Sequence, residues 1–299
     1  MYIGIDIGGT KIALGLVDDR GEILNQSRIP TLAKEGPRSA LDRMVEEIRR
    51  LREGAPSEHP LRGIGIGCAG PVDARRGVVM NPYTLPGWEE FPLAEDLSRR
   101  VGVPAQMEND VNTVLLGEVA LGGWEDRDVL LVMVGTGVGV AFSRRGGILH
   151  RTRSVYHPEM GHLIIEPDGP ECYCGRRGCL ESLASGSALH RIAAEEGFKD
   201  FRNLIASAES GSTAATALLD QAARRLAAGI WNLQIVLQPE VIVLGGGIMD
   251  DYFDLFKDKI LAFLPGREDF NGRFALKPSH GGDRPALAGA ARLIRSFLE

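Results

Sequence analysis

Three times along the chain a short apolar run ends abruptly in glycines. Tyr2-Ile3-Gly4-Ile5-Asp6-Ile7 runs into Gly8-Gly9-Thr10-Lys11, Val129-Leu130-Leu131-Val132-Met133-Val134 into Gly135-Thr136-Gly137-Val138-Gly139, and Val241-Ile242-Val243-Leu244 into Gly245-Gly246-Gly247. A buried strand that ends on residues without side chains lets the backbone turn tightly and leaves N–H groups facing outward, where an anion can meet them. The first two cases read as strand, Gly/Thr-rich turn, strand, with returns over 11–17 and 138–142, so the two halves of the chain repeat one theme.

Between these runs the pattern alternates. Residues 63–68 and 105–107 read as strands, and 22–24 as a short third strand after the turn Asp18-Asp19-Arg20-Gly21. Residues 38–52 place Leu41, Met44, Val45, Ile48 and Leu51 on one helical face. Residues 92–100, 214–237, 250–264 and 286–298 also read as helices. Strands alternating with helices make the class α/β, and 299 residues suffice for two domains. The expected division is 1–108, with the terminal helix 286–299 returning to it, against 109–285.

A formal net charge of −6 is the wrong sign for a nucleic-acid or anionic-membrane partner. The start has no basic segment followed by an apolar run and a cleavage site, and no apolar stretch approaches the length of a membrane span. The expectation is a cytoplasmic protein.

The glycine turns suggest particular chemistry. Asp6 at a strand end is placed to hold hydrated Mg²⁺ beside an anion cradled by Gly8 and Gly9, with the Thr10 hydroxyl and the Lys11 charge adding to the grip. Gly135, Thr136 and Gly137 would let a phosphate chain approach the backbone. Gly245, Gly246 and Gly247 could form a flat wall for an adenine ring, or simply a sharp strand-to-helix turn. Neither a P-loop nor a dinucleotide-binding spacing is present.

Of the four cysteines, three fall within residues 172–179. With His162 they offer one nitrogen and three sulfurs, a complete tetrahedral set for Zn²⁺ that leaves no position for water. Such a site, formed by His162, Cys172, Cys174 and Cys179, is structural. In Glu108-Asn109-Asp110-Val111-Asn112, Asp110 lies between a short strand and a helix running to about residue 121. A carboxylate there can accept a substrate hydroxyl proton or cap the helix.

Together these segments resemble the phosphate-1, phosphate-2 and adenosine segments of the actin-like ATPase (ribonuclease H-like) fold. Glu108-Asn109-Asp110, Pro158-Glu159-Met160-Gly161-His162 and Cys172-x-Cys174-Gly175-x-x-Gly178-Cys179-Leu180-Glu181 are similar to signatures of the bacterial ROK family, which contains sugar kinases and sugar-sensing repressors. The resemblance spans nearly the whole chain. It implies two α/β domains with a ligand cleft between them, and transfer of the γ-phosphoryl group of ATP to the 6-hydroxyl of a hexose. It implies Asp110 as catalytic base, and Gly70, Asn81, Asn109, Glu159, His162 and Glu181 as sugar contacts, with a dimer or tetramer as the assembly. His157-Pro158 resembles the fructokinase branch and Cys172-Tyr173-Cys174-Gly175 the glucokinase branch. The expected order of substrates is glucose, then fructose, then N-acetylmannosamine or N-acetylglucosamine. The alternative from another class is a non-catalytic sugar sensor. The family's repressors carry a helix-turn-helix ahead of the kinase-like part, and Asp6 stands too near the start to follow one.

Overall fold

The computed structural model describes residues 1–53, 59–152, 157–264 and 272–299. It divides into two compact units. One comprises Met1–Asp126, Ala141–Pro158 and His280–Glu299; the other comprises Arg127–Val140 and Glu159–Ser279.

In the first unit, β1 (Tyr2–Ile7), β2 (Lys11–Val17), β3 (Ile23–Pro30), β4 (Gly63–Cys68) and β7 (Ala105–Asn109) form a sheet ordered β3-β2-β1-β4-β7. The β1–β2 and β2–β3 pairs are antiparallel, whereas β1, β4 and β7 run parallel. The short pair β5 (Val72–Asp73) and β6 (Val78–Val79) stands apart. Helix α1 (Pro37–Arg52) begins on a proline at its first turn, where a missing N–H costs nothing. Helix α2 is Leu93–Val101, α3 is Asp110–Gly122 and α9 is Arg284–Leu298.

The alternation along β1 and β4 sorts their two faces. Ile3, Ile5, Ile7, Ile64 and Ile66 enter one core with Leu41, Met44 and Ile48 of α1. The opposite face carries glycines because α9 lies directly on the strands. A Cβ on Gly65 would stand 1.6 Å from the Ala290 carbonyl oxygen, and one on Gly4 would stand 2.1 Å from that of Leu287. Gly65→Ala must therefore push a helix off its sheet. It is expected to lower stability by about 3 kcal/mol, the upper range for overpacking a core. An unchanged urea midpoint would show that α9 has more room than this contact allows.

Helix α3 packs heavily on α9, so residues 109–126 join the first unit. The sequence division after residue 108 falls inside β7, and the boundary lies some residues later for this reason. Helix α9 packs on β1 and β4.

A second sheet is ordered β10-β9-β8-β11-β12, from β8 (Val129–Val134), β9 (Val138–Arg144), β10 (Ile148–Leu149), β11 (Val241–Gly245) and β12 (Ala275–Pro278). Strands β8, β11 and β12 are parallel. Around them lie α4 (Leu180–Ala184), α5 (Gly186–Glu195), α6 (Phe201–Glu209), α7 (Thr213–Leu237) and α8 (Gly247–Phe263). Among the described residues no helix is long and apolar enough to cross a membrane.

Candidate active site

Parallel strands deliver their carboxyl ends to one edge, where ligands bind in open α/β sheets. In the first unit that edge is set by register: Ile7 pairs with Cys68 and Cys68 with Asn109. Asp6, the Gly70 turn and Asp110 are thus gathered within one row. The Cys68 thiol between them is wholly buried. Burial, then the charges of Asp110 and Asp6, push it well above its ordinary value. It stays a protonated, inert thiol, and both carboxylates lie close enough to act on it.

The β1–β2 turn is closed by Gly8 N–H donating to the Lys11 carbonyl at 3.0 Å. The Thr31 hydroxyl donates to the Gly8 carbonyl at 2.7 Å, while Thr10 at the tip is exposed. Lys11 does not stand ready for a phosphate. Its ammonium donates to Asp283 at 2.8 Å, and the other oxygen of Asp283 takes the Arg28 guanidinium. Burial raises the Asp283 carboxyl, but these two cations outweigh it and hold the group low. Asp6 goes the other way. Burial first, then the Asp283 charge, push it up to about 6 against the pull of Lys11. A buried carboxylate disfavoured as an anion suits a divalent cation, which would relieve it.

At the β7–α3 junction the cap is Asn109. Its side-chain oxygen accepts from Val111 N–H at 3.0 Å and Asn112 N–H at 3.3 Å. Asp110 is the first helical residue. Its Oδ1 accepts from Val111 N–H at 2.9 Å and from the Asn109 amide at 3.0 Å. The buried Glu108 fixes the junction from behind. Its Oε1 accepts from Asn109 N–H at 2.9 Å and the Asn112 amide at 3.1 Å, and its Oε2 takes Arg151 Nε at 2.9 Å. Neither Arg151 nor Asp283 carries a signal in the sequence, because each partner is distant along the chain. Gly70 sits against Asn109, whose amide nitrogen would be 2.8 Å from a Cβ there.

Asn81 differs from the expectation of a direct sugar contact. It is fully buried, its amide donates to the Ala69 carbonyl and the Thr84 hydroxyl, and its oxygen accepts from Tyr83 and Thr84 N–H. Every bonding position is filled, so in this arrangement Asn81 shapes the turn over residues 81–84.

In the second unit, Gly135 and Gly247 are open: a Cβ on either would meet nothing within 4 Å. They end the parallel strands β8 and β11, and Gly247 opens α8. Gly246 between strand and helix has φ +88°, and a Cβ there would lie 2.7 Å from the Val134 carbonyl oxygen, so glycine is required. The sharp strand-to-helix turn is therefore present and leaves an open helix N-terminus, a place for negative charge. Gly245 is packed against Ser279 and Met133, and Thr136 is exposed at the tip of its turn.

His162, Cys172, Cys174 and Cys179 converge, with all four ligand atoms within 4.8 Å of one another. Cys172 Sγ is 3.4 Å from His162 Nδ1, and the sulfurs of Cys174 and Cys179 are 3.6 Å apart. Ligands about 2.3 Å from a tetrahedral Zn²⁺ stand about 3.8 Å from one another, so the donor set and its spacing fit that ion. Glu181, two residues past the last cysteine, accepts the Val138 N–H at 2.8 Å and thereby ties the β8–β9 turn to the cysteine loop. Glu159 opens the short turn Met160–His162 and is exposed. Tyr173 lies between two of the cysteines. Its hydroxyl is 3.1 Å from His162 Nε2. Burial, then the charge of Glu181 and a hydrogen bond to that carboxylate, hold the phenol protonated.

The sequence profile of the ROK family matches residues 2–296. A glucokinase from Thermotoga maritima is 30% identical over 99% of this chain and 98% of that protein. The crystal structure of a ROK hexokinase from Thermus thermophilus matches with a TM-score of 0.85 at 33% identity, over 99% of each chain. That of a ROK family glucokinase from Streptomyces griseus, in complex with glucose and AMPPNP, matches with a TM-score of 0.78 at 31% identity over 99% of each chain.

Proposed function

Because the chain belongs to the ROK family, we propose that it is an ATP-dependent hexose kinase that transfers the γ-phosphoryl group to the 6-hydroxyl of glucose. The observation that carries the reading is the β7–α3 junction, where Glu108 and Asn109 hold Asp110 at the carboxyl end of a parallel strand.

Asp110 takes the proton of the attacking hydroxyl and orients its oxygen. Asn109, Gly70, Glu159, His162 and Glu181 are the groups offered to the other sugar hydroxyls. Each hydroxyl needs such a partner, since a buried unpaired one costs about 1–3 kcal/mol. The open glycines 135 and 247 receive the phosphates and the nucleotide at strand ends and a helix N-terminus. Gly8, Gly9 and Thr10 supply further donors. Mg²⁺, when bound, neutralises and orients the phosphates, and Asp6 would hold it through water. Zn²⁺ on His162, Cys172, Cys174 and Cys179 would brace the loop that presents Glu181. With Nδ1 of His162 on the metal side, Nε2 is left for a hydroxyl.

A coupled assay of ADP release across a panel of sugars tests the reading. The expected order of kcat/KM is glucose, fructose, then N-acetylmannosamine or N-acetylglucosamine. Absence of sugar-dependent turnover would favour a sensor. A preference for fructose over glucose by about tenfold, well within what pocket contacts achieve, would overturn the ranking.

A further inference from the structure

Among the groups proposed to bind sugar, one position is already filled by the protein. The Tyr173 hydroxyl stands 3.1 Å from His162 Nε2. The two rings meet edge to face, with centroids 5.1 Å apart at 81°. The Glu181 carboxylate interacts with the same hydroxyl. With Nδ1 turned to the cysteine sulfurs, an Nε2–H of His162 would face the phenol oxygen as its donor. The Glu181 carboxylate is the acceptor offered to the phenol's own proton. A sugar hydroxyl between these two residues would accept from the one and donate to the other in the same way.

We infer that Tyr173 sets the enzyme's affinity for sugar: in the empty state its hydroxyl stands in for a sugar hydroxyl between His162 and Glu181, and the sugar must displace it. The inference rests on the sugar-binding reading of these two residues.

Two features make displacement feasible. Tyr173 is 77% exposed, so rotation about its side-chain torsions moves the phenol into water. With Cys172 and Cys174 on either side as metal ligands, the metal would hold its backbone, so it is the side chain that swings while the loop stays. A sugar that binds only the displaced state has its apparent affinity reduced by the fraction of molecules in that state. Removing the stand-in removes that reduction. Tyr173 is therefore a positioning residue that acts on binding, and the transfer step itself does not involve it.

The test compares the full-length protein with Y173F, Y173A and E181A by glucose titration and steady-state kinetics. Y173F keeps the ring and deletes only the hydroxyl. It is expected to bind glucose about three- to tenfold more tightly, as expected for a stand-in that occupies most molecules. KM should fall in parallel, with kcat and metal content unchanged. Y173A should do the same, while E181A should bind glucose far more weakly. If Y173F binds glucose no more tightly than the parent while E181A loses affinity, Tyr173 is not a stand-in and the sugar site survives. If E181A binds glucose normally, the sugar-binding reading itself falls.

Discussion

Asp110→Asn is expected to lower kcat by about 10²–10⁴-fold, the usual scale for loss of a general base, with little change in glucose affinity. The local structure makes this substitution clean. The helix cap is Asn109, and the oxygen of residue 110 that accepts from Val111 N–H and the Asn109 amide is retained in asparagine. Folding should therefore be preserved, and only the proton acceptor is lost. Lower kcat with unchanged sugar binding marks an interaction needed chiefly in the transition state. By contrast, Asn109→Ala removes the cap and should cost about 1 kcal/mol of stability. Steady-state kinetics and sugar titration of the purified variant decide the matter. A kcat within about fivefold of the parent, far short of the 10²–10⁴-fold range, would remove Asp110 from the role.

Loss of the metal is the second large effect. One tightly held Zn²⁺ per chain is expected. Cys174→Ala should release it, lower Tm by several degrees and weaken glucose binding at least about tenfold, the lower end of what disturbing a metal site's supporting groups costs. Cys174 is exposed, so its replacement opens no cavity, and whatever is lost reports the ion. Glu181 and Tyr173 both hang on this loop, and Glu181 also holds the Val138 N–H. The loss should therefore extend to ATP affinity as well. Protein purified without chelator and found by elemental analysis to lack stoichiometric metal would defeat the prediction.

The parts of the molecule that could be read from sequence are those whose cause is local. A strand that ends in glycines announces its turn, and three cysteines within eight residues with a nearby histidine announce a ligand set. The sequence marks only 22–24 of the eight-residue edge strand β3, because Leu24, Asn25 and Gln26 are all exposed and give no apolar alternation. Helices α5 and α6 are short and rich in Ala, Ser and polar residues, so neither stood out before α7. Charge partners were the least legible. Lys11 looks like a phosphate ligand until Asp283, 272 residues away, takes its ammonium. Asn81 looks like a free amide until the turn that it holds is seen.

The seating of α9 on the glycine face of β1 and β4 bears on how the chain matures. Strands β1 and β4 leave the ribosome with a face shaped for a helix that is translated only after most of the second unit. At about 5–20 residues per second, that surface waits while everything between β4 and α9 is made. Residues 159–279 form most of the second unit and emerge before α9, so that unit can fold while the first is still incomplete. Nascent chains halted before residue 284 should therefore engage chaperones through the sheet of β1 and β4, and completion of α9 should release them.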